Sequence, residues 1–309
     1  MNCFVTGGAG FIGSALVEAL LSRGDGVTVY DNLSSGRREF LAPFEGQNGF
    51  RFVEADLLDF EALVQAVEGA DVVWHLAANP DIRYGAEKTD LDLQQGTIAT
   101  YNVLEAARRA GVVKVVFSSS SAVYGLPSIL PTPEDYGPLL PHSLYGASKL
   151  ACEGLVSAFC YSLGFQAWIF RFANVVGPNA THGIIPDLPA KLADDPSRLE
   201  VLGNGRQRKS YIHVSDCVAG MLHGFEHADE PVNVFNLGTD DDILISRIAE
   251  LVVEARGLPD TPIVYTGGDI GWPGDIPVMK LDCKRINSLG WRPRLNSEQA
   301  VREAIRALI

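Results

Sequence analysis

Sulfur, positive charge and long apolar runs are what this chain of 309 residues has least of. Five cysteines, Cys3, Cys152, Cys160, Cys217 and Cys283, stand apart, with no C-x-x-C pair and no histidines at ligand spacing. That pattern excludes a zinc ribbon or a disulfide framework as the organising element, so no metal site is expected and the thiols read as reduced. Lysine and arginine number 25 against 38 aspartates and glutamates, a formal charge of −13. Such a field repels phosphate backbones and anionic lipid, so neither nucleic acid nor a membrane is an expected partner. The one short basic cluster, Arg206, Arg208 and Lys209, suits a single small anion. The N-terminal MNCFVTGGAG has no basic segment followed by an apolar one, and no run long enough to span a bilayer occurs, so the expected location is the cytoplasm. Repeats and low-complexity segments are absent as well.

What is abundant is apolar surface in short pieces. With 47% hydrophobic residues the chain can bury a substantial core. NCFVT, VTVYD, FRFVEAD, DVVWHLAA, KVVFSSS and QAWIFRF alternate with longer amphipathic stretches, the first of them FIGSALVEALLSRG. The alternation predicts an α/β fold, a Rossmann doubly wound parallel sheet with crossover helices. Helices are expected at about 59–68, 92–110 and 145–163, with Gly24, Gly69, Gly111 and Gly164 where C-caps belong. After Phe172 the rhythm changes, because Pro178, Pro186, Pro189 and Pro196 interrupt a stretch without strong strands. The expected division is a Rossmann domain over 1–172 and a smaller mixed α/β region over 173–309, with a helix at 213–228 and a strand at 232–238 rejoining the sheet.

GGAGFIG follows the first strand and opens the first helix, setting Gly7, Gly10 and Gly13 as G-x-x-G-x-x-G. Glycine permits the tight turn and lets backbone amides approach a pyrophosphate at the positive end of the helix. In this context the loop marks a dinucleotide site. Asp31 ends the second strand, about 20 residues further on, where a carboxylate accepts hydrogen bonds from an adenosine ribose. That placement favours NAD over NADP, while Arg37 and Arg38 leave room either for a 2′-phosphate or for plain solvated arginines.

Two Tyr-x-x-x-Lys spacings occur, Tyr84 with Lys88 and Tyr145 with Lys149. Four residues apart on a helix the side chains share a face, and an ammonium beside a phenol of reference pKa about 10 favours the phenolate, a usable base. Context separates the two. Tyr84 follows HLAANP and reads as surface loop, whereas Tyr145 opens a long helix after the strand that ends in FSSSSAVYG.

GGAGFIG, DNLSSG at 31–36, AD at 55–56, HLAA at 75–78, SSSSAVYG, YGASK, RFANVVGP at 171–178, GNGRQRKSYIHVSD at 203–216 and WPGD at 272–275 follow one another in this order. The series resembles the extended short-chain dehydrogenase/reductases, specifically the NAD-dependent nucleotide-sugar epimerases and dehydratases, and among them most the UDP-glucose 4-epimerase type. The resemblance implies NAD held by Gly7, Gly10, Phe11, Ile12 and Gly13, by Asp31, Asn32, Ser35 and Gly36, and by Asp56 and Leu57 beside the adenine. Leu76, Ala77 and Ala78 would line the groove, with Ser118, Tyr145 and Lys149 at its nicotinamide end. It further implies Ser120, Tyr145 and Lys149 as the catalytic set, Ser121 beside them, and Asn174 on the substrate diphosphate.

Departures from the family pattern carry information too. Trp272, three residues before Asp275, stands where many relatives have a diphosphate-clamping arginine, and Lys209-Ser210 stands where they have Arg-Asp. Arg208 or Lys209 would then hold the diphosphate. A family asparagine near the start of the fourth helix falls at Gly96. Met279 aligns with a position that gates a C2 N-acetyl group by size, or is plain packing. Dehydratases resemble T-D-E where this chain has Ser120, Ser121 and Ala122, and decarboxylating relatives keep a glutamate at the third position. Without an acid there, elimination lacks its proton donor and acceptor. The expected reaction is reversible C4 epimerisation of a UDP-hexose through a 4-keto sugar, UDP-glucose and UDP-galactose first. UDP-N-acetylglucosamine or UDP-glucuronate epimerisation, a dehydratase or reductase, and a non-enzymatic redox sensor are the alternatives. A homodimer through the helices at 92–110 and 145–163 is implied by the resemblance alone.

Overall fold

The computed structural model describes every residue except Pro273 and the side chain of Ala86, so the middle of the W-P-G-D stretch lies outside the described residues. The strands of its sheets are β1 (Asn2–Thr6), β2 (Gly26–Asp31), β3 (Phe50–Glu54), β4 (Val72–His75), β5 (Lys114–Ser120), β6 (Gln166–Phe172), β7 (Asn174–Val176), β8 (Leu199–Val201), β9 (Arg208–Lys209), β10 (Tyr211–His213) and β11 (Val232–Leu237), with three short ones following. Seven of them form one sheet in the order β11-β6-β5-β4-β1-β2-β3, every neighbouring pair parallel. Strands covered on both faces have no polar side to show, which is why they read as continuous apolar runs. Leu16, Leu20, Trp74, Phe170 and Met221 pack on one face of the sheet. Phe4, Tyr30, Leu63, Leu104, Phe117 and Ile169 pack on the other. After Phe172 the chain builds a third core around Ile185, Leu199, Ile248 and Val301, and the strands there are only two or three residues long.

The helices that matter for the site are α1 (Phe11–Ser22), α2 (Phe60–Val67), α3 (Ile82–Glu87), α4 (Ala99–Ala110), α5 (Leu144–Leu163), α6 (Ile184–Asp194) and α7 (Val214–His227). Their ends follow from local chemistry. Asp59 caps α2 by accepting from Ala62 N at 3.2 Å, and Ser143 caps α5 by accepting from Gly146 N at 3.0 Å. Gly111 and Gly164 close α4 and α5 in the left-handed conformation, and Gly24 and Gly69 take positive φ one residue past the caps of α1 and α2.

Two expectations change. The helix expected over 92–110 starts with a π-helical turn, Leu93–Ile98, before α4. Gly96 lies so close to Ser148 Oγ of α5 that a β-carbon would collide with it, and the widened turn brings the two segments together there. The Tyr84 segment is not a loop but the short helix α3, because Asp81 caps it by accepting from Arg83 N at 2.9 Å. No helix among the described residues is long and apolar enough to cross a membrane.

One polar network runs through the apolar interior. Arg171 of β6 donates to both oxygens of Glu153 of α5, at 2.9 and 2.7 Å, and both residues are buried. Ser119 Oγ donates to the same carboxylate at 2.5 Å, while the far side of Arg171 donates to Tyr124 OH at 2.9 Å and to Glu134 O at 2.8 Å. Tyr124 passes the chain on to Asn236 Oδ1 at 2.7 Å. Removing one partner leaves the other charged in a dry site, so Arg171→Met is expected to lose about 3–5 kcal/mol of stability. A lower urea midpoint at constant slope is the expected reading, and an unmoved midpoint would contradict it.

Candidate active site

The C-terminal ends of β1, β2, β4 and β5 open into a groove of about 390 Å³ that runs from Asp31 to Tyr145. Gly7 turns with φ +70 in a position where a β-carbon would lie 2.7 Å from Ala77 N, and a β-carbon at Gly13 would strike Gly7 O. Only glycine lets these backbones meet. Helix α1 begins without a side-chain cap and without an acid in its first turn, so its free amides and positive end face the groove. That is a phosphate cradle. Asp31 is buried at the end of β2, where Ala9 N and Leu33 N donate to its two oxygens at 3.0 and 2.9 Å. Burial raises its pKa against those two hydrogen bonds. A β-carbon at Gly36 would lie 3.0 Å from the same carboxylate, so a ribose has a clear approach. Arg38 is taken up by Glu45 and Phe52, and Arg37 stands over Phe40; neither lines the groove.

Phe11, Ile12, Asn32, Ser35, Leu57, Leu76, Ala77, Ala78 and Ser118 all line this groove with the glycines. Asp56 does not. It acts one step back, accepting from Asn32 Nδ2 at 2.8 Å and from Leu58 N at 2.8 Å. Gly96 is turned toward Ser148, and its neighbour Gln95 faces the groove instead, together with Tyr84, Asn79 and His182. Sequence reasoning missed these four; Tyr84, read with Lys88 as surface loop, is indeed 54% exposed while lining the groove.

At the far end, Lys149 is buried and donates to Ser118 O at 2.6 Å, with its ammonium 4.8 Å from the Phe117 ring and 5.8 Å from the Tyr145 ring. Burial brings its pKa down to about 8. Burial pushes the Tyr145 phenol up to about 12, and the neighbouring Ser120 hydroxyl works in the opposite direction.

Tyr145, Ser119 and Phe172 also line a second, adjoining cleft of about 660 Å³ between the sheet and the region after Phe172. Ser120, Asn174, Lys209, Trp272 and Asp275 line it too. Lys209 is buried, donates to Asp275 Oδ1 at 2.5 Å and lies 4.8 Å from the Trp272 ring. Three expected residues do not reach the lining. Arg208 is 56% exposed and paired with Asp242 at 2.6 Å, because neighbouring residues of a strand point to opposite faces. Met279 is packed in the core, and Ser121 lies in the turn beyond Ser120. Arg83, His182 and Lys191 line the cleft without having been expected there, and no single-sequence signal marks them.

A dinucleotide cradle, a serine, and a Tyr-Lys pair at the junction with a second cleft make an oxidoreductase-like centre open to a bulky substrate. Residues 3–238 match the NAD dependent epimerase/dehydratase family. The chain is 32% identical to the UDP-glucose 4-epimerase of Mycolicibacterium smegmatis, covering 99% of this chain and 97% of that protein. It is also 32% identical to the UDP-N-acetyl-alpha-D-glucosaminuronate decarboxylase of Bacillus cytotoxicus, over 99% and 97%. A crystal structure of a UDP-galactose 4-epimerase superposes with a TM-score of 0.88 at 40% identity, covering 100% of this chain and 98% of that one. The seven-stranded parallel sheet agrees with these matches, and the chain belongs to the NAD dependent epimerase/dehydratase family.

Proposed function

We propose that the protein interconverts the C4 configuration of a UDP-hexose, UDP-glucose and UDP-galactose first, with no net oxidation. The observation that carries this reading is the Ser120-Ser121-Ala122 turn at the catalytic end of the cleft. Elimination and decarboxylation both need a proton donor or acceptor beyond the tyrosine, and this turn offers hydroxyls alone. Two of the four acids lining the cleft are engaged elsewhere, Asp275 by Lys209 and Gly271 N and Asp81 by Arg83, and the other two, Asp187 and Asp194, belong to α6 and not to this turn. With Met279 in the core, size selection at C2 has to come from other residues.

The lining of the groove supports NAD there: Asp31 would take the adenosine ribose, the α1 amides the pyrophosphate, and Lys149 and Tyr145 would stand at the nicotinamide end. When bound, NAD supplies the electron acceptor and the positive ring charge at that end. Tyr145 Oη takes the proton of the 4-hydroxyl and returns it, Ser120 Oγ holds that hydroxyl in place, and Lys149 stabilises the phenolate. Residues 1–172 with 213–238 would then serve the cofactor and the remainder the sugar nucleotide. A homodimer through α4 and α5 is supported by the large apolar groups these helices leave exposed, Tyr101, Tyr161 and Leu163. A cytoplasmic setting agrees with the five buried free thiols.

The deciding experiment incubates purified protein, without added cofactor, with UDP-glucose, UDP-N-acetylglucosamine or UDP-glucuronate and follows the sugars by NMR. Conversion of UDP-glucose to its C4 epimer is expected; a product lacking water or carbon dioxide, or consumption of free NAD in proportion to product, overturns the reading. Tyr145→Phe is expected to slow turnover by about 10²-fold or more, with folding unchanged. The pH profile follows from Lys149: its ammonium, present below about 8 and lost above it, makes kcat/KM fall on the alkaline side. Lys149→Arg, which does not lose its proton, should abolish that alkaline limb where it keeps activity.

A further inference from the structure

Asp92 is a buried acid with no cation of its own. It stands just ahead of the π-helical turn and is 3% exposed. Its Oδ1 accepts from Asn79 Nδ2 at 3.1 Å, whereas Oδ2 is buried without any hydrogen-bond partner. That oxygen lies against the bare Cα of Gly85, where a β-carbon would collide with it and sit 3.6 Å from Cβ of Leu144. The main-chain carbonyl of Asp92 accepts from Ser148 Oγ at 2.7 Å. Asp92 is therefore docked on α5 between residues 144 and 148, on the turn that carries Tyr145 and Lys149.

A half-satisfied buried carboxylate costs stability, so its retention calls for a role. The other charged or titratable groups packed around the pair are already matched. Glu153 of α5 is held by Arg171 of β6 and by Ser119 of β5. Arg83 of α3 is held by Asp81. His75 of β4 lies between Thr6 and Thr100, and burial keeps it neutral. Cys152 is a buried thiol whose pKa burial raises. Lys149 itself donates only to a main-chain carbonyl among the described residues.

We propose that Asp92 is a positioning residue for the Tyr145 and Lys149 pair: held by Ser148 through its main-chain carbonyl and seated against Gly85 through its buried carboxylate, it fixes the turn of α5 that carries both groups and keeps a negative charge beside them. The inference rests on the reading of Tyr145 as the base. Asp92 acts on both groups in the same sense, favouring the protonated form of each, and Lys149 in turn opposes the rise that burial imposes on Asp92. Asn79, which faces the cofactor groove, ties the carboxylate to that groove.

The test titrates the ultraviolet phenolate absorbance of the protein as purified, with Tyr145→Phe subtracted to isolate one tyrosine. Asp92→Asn is expected to lower the pH of Tyr145 ionisation by about half a unit or more, and to move the acid limb of kcat/KM the same way. A merely structural part for Asp92 would lower the folded fraction or kcat and move neither; that result overturns the proposal. Asn79→Ala, which strips the carboxylate of its one side-chain donor and drives it toward the neutral acid, is expected to shift Tyr145 in the same direction and serves where Asp92→Asn does not fold. The absorbance titration needs no substrate, so it judges Asp92 separately from the turnover experiments that judge the choice of sugar.

Discussion

The bidentate pair between Glu153 and Arg171 holds the catalytic half of this protein in register. Tyr145, Lys149 and Glu153 recur every four residues along α5 and so share one face. The third of them is bolted to β6 through Arg171 and to β5 through Ser119, so the first two are delivered to the C-terminal end of the sheet at a fixed height. Two charges taken out of water would be a loss if any lone pair or N–H were left idle. Here Tyr124, Glu134 and Asn236 complete the shell, and Asn236, which accepts from Tyr124 OH, in turn donates to Thr132 O and Asp282 O. The pair thus carries α5, two central strands and the connection to the second lobe in a single network.

The Rossmann sheet was legible because its constraints are local. Strands buried on both faces must be apolar throughout, and a loop whose backbones touch must be glycine; both leave marks that need no tertiary knowledge. The cleft behind Tyr145 leaves no such marks. Arg208 and Lys209 are neighbours in sequence, yet the pleat of a two-residue strand sends one to solvent and the other to the cleft, and nothing in RQRKS says which. Gln95, His182 and Arg83 come to the site from three separate segments, each joined to it only by the packing of the π-helical turn, the 177–183 loop and α3. Asp92 was hidden for a related reason: in EKTDLD it looks like one more solvated acid, and only the contact with α5 removes it from water.

The charge balance of the cleft bears on what it can hold. Lys209 is matched by Asp275, Arg83 by Asp81 and by Asp187 at 3.9 Å, and Lys191 by Glu200 at 3.5 Å. These pairs are not equivalent. The last two contacts are long and lie between half-exposed groups, where water screens them and an ion pair contributes little, so an entering anion can displace Asp187 and Glu200 at small cost, although Arg83 keeps its short pair with Asp81. The Lys209 pair is dry and backed by Trp272, and pulling the ammonium from its carboxylate would uncover a buried charge. On this balance an anion entering the cleft would share Lys209 with Asp275 and draw on Lys191 at the mouth, while Arg83 stays with the buried Asp81.

The same reasoning applies to the reacting end. Desolvation pushes Tyr145 up to about 12 and Lys149 down to about 8, so near neutral pH the protein alone keeps a neutral phenol beside an ammonium only modestly below its own pKa. Both shifts have one cause, a dry pocket, and a dry pocket also magnifies any charge brought into it. Ser120 favours the phenolate from one side and Asp92 resists it from the other. A phenol balanced in this way ionises more readily where a further positive charge enters the same dry pocket, because little water is there to screen it.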